Sequence, residues 1–301
     1  MYLKNFNAFT FLKLSAFLFI GVIATSCSKD EDPDAQINAE VNAIDEYLDA
    51  NVTDPVLYDQ SGMRMVIQQI GNNATPKTGQ TVKFNYNIKL FSTGVVIENG
   101  TMNAKLEDMP TDGLRYSLTA MMGGSRATFY VPSKYAYGET GKSNVPSNST
   151  LVYEIISPIE VIRTSAEQTQ FTSDTTAIRQ YFGPPNNITN AIKLPSGVWY
   201  TIDAPGTGKY PTPYDNISFG FKGTVMSNGF VFQQESTLNG QSIFGLIDGL
   251  KVGLPHTNEG SAATFYIPSG LGYGVAGAAG IPANANIIFK IQLSSVTPYF
   301  E

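Results

Sequence analysis

Ala127-Thr128-Phe129-Tyr130-Val131-Pro132-Ser133, followed by Tyr137-Gly138, returns as Ala263-Thr264-Phe265-Tyr266-Ile267-Pro268-Ser269, followed by Tyr273-Gly274. The echo spreads outward at a constant spacing of 135 or 136 residues: Ser61-Gly62 pairs with Ser196-Gly197, Pro76 with Pro211, Tyr86 with Phe221, Gly94 with Gly229, and Gly113-Leu114 with Gly249-Leu250. A period of this length exceeds a solenoid unit and matches the size of a globular domain. The chain of 301 residues therefore reads as two copies of one domain, each able to bury a core of its own.

Within each copy the pattern is that of short strands around a little helix. Val82-Lys-Phe-Asn-Tyr-Asn-Ile88 alternates apolar and polar positions, and Ser92-Thr93-Gly94 and Ser227-Asn228-Gly229 are hairpin-type turns. Thr150 to Val161 and Asn286 to Val296 are β-branched, apolar closing strands. One short helical stretch lies near Leu114 and its equivalent near Leu250, so each copy is expected to be α+β, a mostly antiparallel sheet wrapped on a short helix. Each is preceded by an extra helix. The first carries Ile37, Val41, Ile44, Tyr47 and Leu48 at helical spacing from Asp34 onward; the second is weaker, around Ile178 to Phe182, and is stopped by Gly183-Pro184-Pro185. Thr164 to Asp174 is rich in Thr, Ser and Gln and lacks apolar periodicity, which reads as a linker. The expected organisation is a leader at 1–26, an acidic tether at 27–33, a first domain with its helix at 34–163, the linker at 164–174 and a second domain with its helix at 175–301.

The amino terminus bears on the compartment. Lys4 and Lys13 are its only charges before Leu14 to Ala24, an apolar run of signal-peptide length that is too short to span a bilayer. Thr25-Ser26-Cys27 follows, and Cys27 is the only cysteine of the chain, so no disulfide can form within it. Small residues before a cysteine at the end of such a run resemble a bacterial lipobox, with Ala24 where that motif usually has leucine. The expectation is lipidation of Cys27 and an outer membrane lipoprotein, periplasmic or surface-exposed; the alternative is an ordinary secretory signal ending near a free thiol. Ser28-Lys29-Asp30-Glu31-Asp32-Pro33 is a solvated charged tether. The net charge is −6, and removal of residues 1–26 takes two lysines with it and deepens it to −8, which argues against nucleic acid as a partner.

The repeated segments also carry a family resemblance. Tyr135-Ala-Tyr137-Gly138, a short loop, and Val145-Pro146-Ser-Asn-Ser-Thr-Leu-Val-Tyr153-Glu-Ile155 resemble the carboxy-terminal half of an FKBP-type peptidyl-prolyl cis-trans isomerase domain. The second copy gives Leu271-Gly-Tyr273-Gly274, then Ile281-Pro282-Ala-Asn-Ala-Asn-Ile-Ile-Phe289-Lys-Ile291. Upstream, Phe221-Lys222-Gly223 is similar to the family's Tyr-Thr-Gly strand and Gly229-Phe-Val-Phe232 to its Gly-x-x-Phe, while Gly124-Ser-Arg-Ala-Thr-Phe129 is similar to the strand after its short helix. The resemblance covers roughly 76–162 and 211–297.

Carried over residue by residue, the resemblance implies an apolar pocket in the second copy lined by Phe221, Phe232, Leu250, Tyr273, Ile281 and Phe289, with the Tyr273 hydroxyl and the Ile281 amide as its polar groups. Leu250 stands where the family has a tryptophan floor, Phe221 where it has tyrosine and Gln233 where it has aspartate. The corresponding residues of the first copy are Tyr86, Ile97, Glu98, Leu114, Tyr137, Val145 and Tyr153, with Ile97 in place of the phenylalanine. The implied activity is prolyl cis-trans isomerisation by a folding helper that acts on exported, proline-containing polypeptides or envelope proteins, without cofactor or metal. The alternative is a catalytically degenerate binding module of the same fold. Other chemistry finds little support. His256 is the only histidine and, in Leu254-Pro-His-Thr-Asn258, reads as a surface loop residue, and Gly274-Val-Ala-Gly-Ala-Ala-Gly280 lacks the Lys-Ser/Thr of a phosphate loop.

Overall fold

A computed structural model describes residues 34–300; the expected leader, the tether and Cys27 lie outside the described residues. The chain opens with α1 (Ala35–Asn51), then β1 (Val56–Tyr58), β2 (Arg64–Gln69), β3 (Thr81–Leu90), β4 (Val96–Lys105), α2 (Asp112–Thr119), β5 (Arg126–Val131), β6 (Leu151–Ile155) and β7 (Glu160–Ile162). The second half repeats the plan with α3 (Ser165–Tyr181), β8 (Ile192–Lys193), β9 (Trp199–Ala204), β10 (Asn216–Val225), β11 (Val231–Ser242), α4 (Asp248–Gly253), β12 (Ala262–Ile267) and β13 (Ile287–Thr297). Each half is an antiparallel sheet with a short helix against its concave face, as expected.

The two sheets have the same order. From the outer hairpin inward the first runs β4-β3-β6-β5-β2-β1, with β7 also paired to β3, and the second runs β11-β10-β13-β12-β9-β8. Period-2 patterning places Val82, Phe84, Tyr86 and Ile88 of β3 inward against Leu114 and Leu118 of α2. Phe219, Phe265 and Phe289 meet Leu250 of α4 in the second core. The closing strand differs between halves. β13 is continuous, whereas the first half breaks between β6 and β7 at Ser157-Pro158, where proline has no N–H to give the ladder.

The second leading helix departs from the expectation. Residues 165–174 are the first turns of α3, not an extended linker. Thr164 caps the helix by accepting from the Glu167 amide, while the Glu167 carboxylate accepts from the Thr164 amide. Apolar periodicity missed this segment because α3 buries only Asp174 and Ile178, and its threonines satisfy themselves on carbonyls one turn back, as Thr169 does on Ser165.

The two leading helices dock by the same polar device. Glu40 of α1 accepts from the amide and hydroxyl of Ser133, both at 2.6 Å, and from the Thr150 hydroxyl at 2.7 Å. Asp174 of α3 accepts from the amide and hydroxyl of Ser269 at 2.9 and 2.7 Å. The repeated Pro-Ser turn is thus where each leading helix is pinned.

The halves also touch each other. Tyr214, from the start of the second domain, belongs to the buried core of the first, and Met122 of the first belongs to that of the second. Asp248, at the first turn of α4, accepts from the Thr75 hydroxyl at 3.0 Å and pairs with Lys77 at 2.8 Å and Lys251 at 3.2 Å.

Candidate functional site

The residues expected to line the second pocket converge. Leu250, Ile281 and Phe289 are buried and form the base; Phe221, Phe232 and Tyr273 are half-buried and form the wall. Phe289 sits at the hub, 6.1 Å from Phe221 and 5.6 Å edge-on from Phe232, and Phe232 meets Tyr273 edge-on at 6.1 Å. Edge-to-face packing of this kind holds the rings in one arrangement and adds to the stabilisation from burial alone. The bowl is built by elements with fixed relations: Phe221 on β10, Phe232 on β11, Phe289 on β13 and Leu250 on α4.

Gly223 makes the wall possible. A Cβ there would drive into the Phe232 ring and stand 3.1 Å from that of Phe289. The first domain holds Ile88 at the position of Gly223 and Ile97 at that of Phe232, so one aliphatic side chain fills what the other loses. A second exchange is coupled in the same way. The Tyr153 hydroxyl lies 2.9 Å from that of Thr111, the N-cap of α2, whereas the second domain has Phe289 and Ile247 at these positions and no hydroxyl at either.

The first bowl is consequently polar and tied across. Tyr86 donates to Glu98 at 2.7 Å, and burial together with that carboxylate pushes its phenol up to about 12. Lys142 donates to the Tyr137 hydroxyl at 3.4 Å, lies over its ring and approaches Glu98 at 3.8 Å. Asn144 donates to the Ile97 carbonyl at 2.8 Å. The second domain has Ala278, Gln233 and Gly280 at the positions of Lys142, Glu98 and Asn144, and makes none of these ties. Leu114, Val145 and Tyr153 are buried beneath them.

One expected polar group is otherwise engaged. The Ile281 amide donates to the Ala278 carbonyl at 2.8 Å, and the Val145 amide does the same to Lys142. In each loop a two-residue turn closes on itself and takes up the amide. This leaves the Tyr273 hydroxyl as the polar tip of the second bowl, and burial raises its pKa. Sequence reasoning located the lining residues. It missed the partners that decide their shape, Gly223, Ile88, Lys142 and Asn144, although subtracting one repeat from the other exposes all four. His256 is exposed, as expected, with its ring stacked on Tyr200 at 5.6 Å.

Residues 72–156 and 208–294, more than half of the chain, match the family described as FKBP-type peptidyl-prolyl cis-trans isomerase. Among curated proteins, the FKBP-type peptidyl-prolyl cis-trans isomerase FkpA of Aeromonas hydrophila is 30% identical over 116 residues, which cover 37% of this chain and 43% of that protein. FkpA of Escherichia coli strain K12 is 32% identical over 106 residues, 34% of this chain and 39% of that protein. The chain thus spans about two fifths of the length of these relatives. Among solved structures, FkpA from Escherichia coli aligns at 24% identity over 44% of this chain and 62% of that one, with a TM-score of 0.37. The three FKBP domains of wheat FKBP73 align at 18% identity over 79% of this chain and 96% of that one, with a TM-score of 0.31.

Proposed function

The chain belongs to the FKBP-type peptidyl-prolyl cis-trans isomerase family, and from that premise we propose that its second domain catalyses prolyl isomerisation, with the bowl over Leu250 as the site. The observation that carries this reading is the connected set of rings, Phe221, Phe289, Phe232 and Tyr273, around a buried aliphatic base. Rotation about an amide is opposed by roughly 18–20 kcal/mol of partial double-bond character, and a prolyl bond flips unaided in tens of seconds. No nucleophile is needed. A site lowers the barrier by taking water away from the carbonyl, gripping the proline ring and holding a donor where the twisted amide needs it. The rings supply the first two. The Tyr273 hydroxyl supplies the third, and burial raises its pKa further above the physiological range.

We assign the first domain a supporting, polypeptide-contacting role, because Lys142 and Asn144 tie its loop across its own bowl. The proposal extends to clients and place: exported, proline-containing polypeptides as substrates, and lipidation of Cys27 as the anchor of an outer membrane lipoprotein. The lipobox-like Ala24-Thr25-Ser26-Cys27 supports that anchor, and Cys27→Ser is expected to leave the membrane fraction. A variant that still sediments with membranes removes it. The second reading, binding without turnover, is favoured by Gln233 at the acid's position and by the engaged Ile281 amide.

Prolyl exchange in a short peptide, followed by NMR, separates the two readings. Acceleration that Phe232→Ala abolishes and Tyr137→Phe leaves unchanged is the expected outcome. A folded wild-type protein that shifts peptide resonances without speeding exchange is a binding module.

A further inference from the structure

A cavity of about 730 Å³ lies away from both bowls, where the first domain meets the second. Its floor is Met65, Phe129 and Ser117, none more than 5% exposed. One wall comes from the second domain as Tyr214 and Phe244, with rings stacked at 5.5 Å and 12° between planes. Tyr58, Tyr116 and Tyr299 stand half-exposed among the lining residues.

The equivalent place in the second domain is filled. Met65 corresponds to Tyr200, Ala120 to His256 and Ser117 to Gly253. There the His256 ring lies on Tyr200, Tyr200 stacks on Phe265 at 6.2 Å, and Gly253 lets Phe265 come so close that a Cβ would stand 2.7 Å from it. The first domain has Met and Ala where the second has two stacked rings, and the missing volume is left open under Tyr214 and Phe244.

The chemistry of the walls narrows the occupant. The two charged side chains that line the cavity are engaged: Arg64 pairs with Asp45 at 2.7 Å and donates to two carbonyls, and Asp59 accepts from the Ser61 amide. Cavities of roughly 300–1,000 Å³, apolar with a few polar groups and placed at domain junctions, suit drug-sized molecules. We propose that this cavity binds a neutral, ring-bearing small molecule that stacks among Tyr58, Tyr116, Tyr214 and Tyr299.

The test uses the chain from residue 34 onward, which carries both cores, and N-phenylnaphthylamine as a neutral fluorescent probe. Saturable binding is expected, with the ε-methyl resonance of Met65 shifting and that of Met226, in the second domain, staying in place. Met65→Tyr combined with Ala120→His reproduces the filled site of the second domain and should weaken binding at least tenfold. Tyr116→Ala, at an exposed position, should weaken it roughly 2- to 10-fold by the loss of one ring contact, and keeps the test decisive if the filled variant does not fold. The proposal is overturned if the Met65 methyl does not move, if a proline-containing peptide displaces the probe, or if an unfolded polypeptide does so.

Discussion

Ile88 and Ile97 in one domain, Gly223 and Phe232 in the other, show how single positions decide what a bowl can hold. A phenylalanine wall needs a residue without a side chain beneath it, because the ring occupies the space where a Cβ would be. Gly223→Ala is therefore expected to displace Phe232 and to lower kcat/KM for prolyl exchange by roughly tenfold, about 1.4 kcal/mol, with the near-ultraviolet spectrum still that of a folded chain. Equal rates in the folded variant would detach Phe232 from catalysis. In the first domain Ile97→Phe alone should strain against Ile88, and Ile88→Gly with Ile97→Phe should accept the ring, a non-additivity readable by urea unfolding of the two single variants and the pair. The lining residues were legible through the family resemblance, carried onto Tyr273, Ile281 and Phe289 and onto their repeat counterparts Tyr137, Val145 and Tyr153. The commitment of the Ile281 amide to Ala278 was not, because a main-chain bond within a loop leaves no residue signature.

The leading helices belong to the scale of elements. α1 announced itself through Ile44 and Leu48, which are buried to within 1% of completeness. α3 did not, because its anchor is a carboxylate: a buried Asp174 on the Pro268-Ser269 turn looks, in sequence, like one more polar residue in a polar run. Periodicity reads apolar burial and is blind to a buried acid that has found three donors, as Asp174 has in the Ser269 amide and hydroxyl and the Gln170 amide group. In the first domain burial pushes the Glu40 carboxyl up, but the bonds from Ser133, Gln36 and Thr150 outweigh it and hold the pKa below its ordinary value. Glu40→Ala leaves the Ser133 amide and hydroxyl and the Thr150 hydroxyl without their acceptor. It is expected to cost about 1–3 kcal/mol in urea unfolding, and Asp174→Ala should cost a similar amount through Ser269. A loss below about 0.5 kcal/mol, the level of an ordinary surface substitution, would mean that apolar contacts alone dock these helices.

At the scale of the whole molecule the repeat suggests two independent domains, and the contacts between them say otherwise. Asp248 begins the helix that carries Leu250, the base of the second bowl, yet two of its partners, Thr75 and Lys77, come from the first domain. Lys77 also donates to the Gly270 carbonyl at 3.1 Å, just ahead of Tyr273. One lysine of the first domain thus holds two elements of the second domain's bowl. Asp112, the equivalent of Asp248, is exposed and pairs only with Arg115 of its own helix among the ion pairs described, so the clamp is specific to one domain. Burial by itself pushes the Asp248 carboxyl up, but Lys77, Lys251 and the Thr75 hydroxyl more than offset it and hold the pKa below the ordinary value of 3.8. A depressed folded value means that the ionised group stabilises the fold fully above the unfolded value and ceases to do so as the pH falls through the folded one. Asp248→Asn is therefore expected to be less stable than the wild type by about 1–3 kcal/mol at pH 7, with the difference shrinking once the pH drops below 3.8. Calorimetry across that range checks the sign, and a difference that stays constant down to the acid limit would show that the carboxylate's charge contributes nothing to the clamp. Because the clamp reaches both α4 and the Tyr273 segment, Lys77→Ala is expected to raise KM for prolyl peptides in the second domain although Lys77 lies outside its bowl. An unchanged KM would make the junction a matter of stability alone.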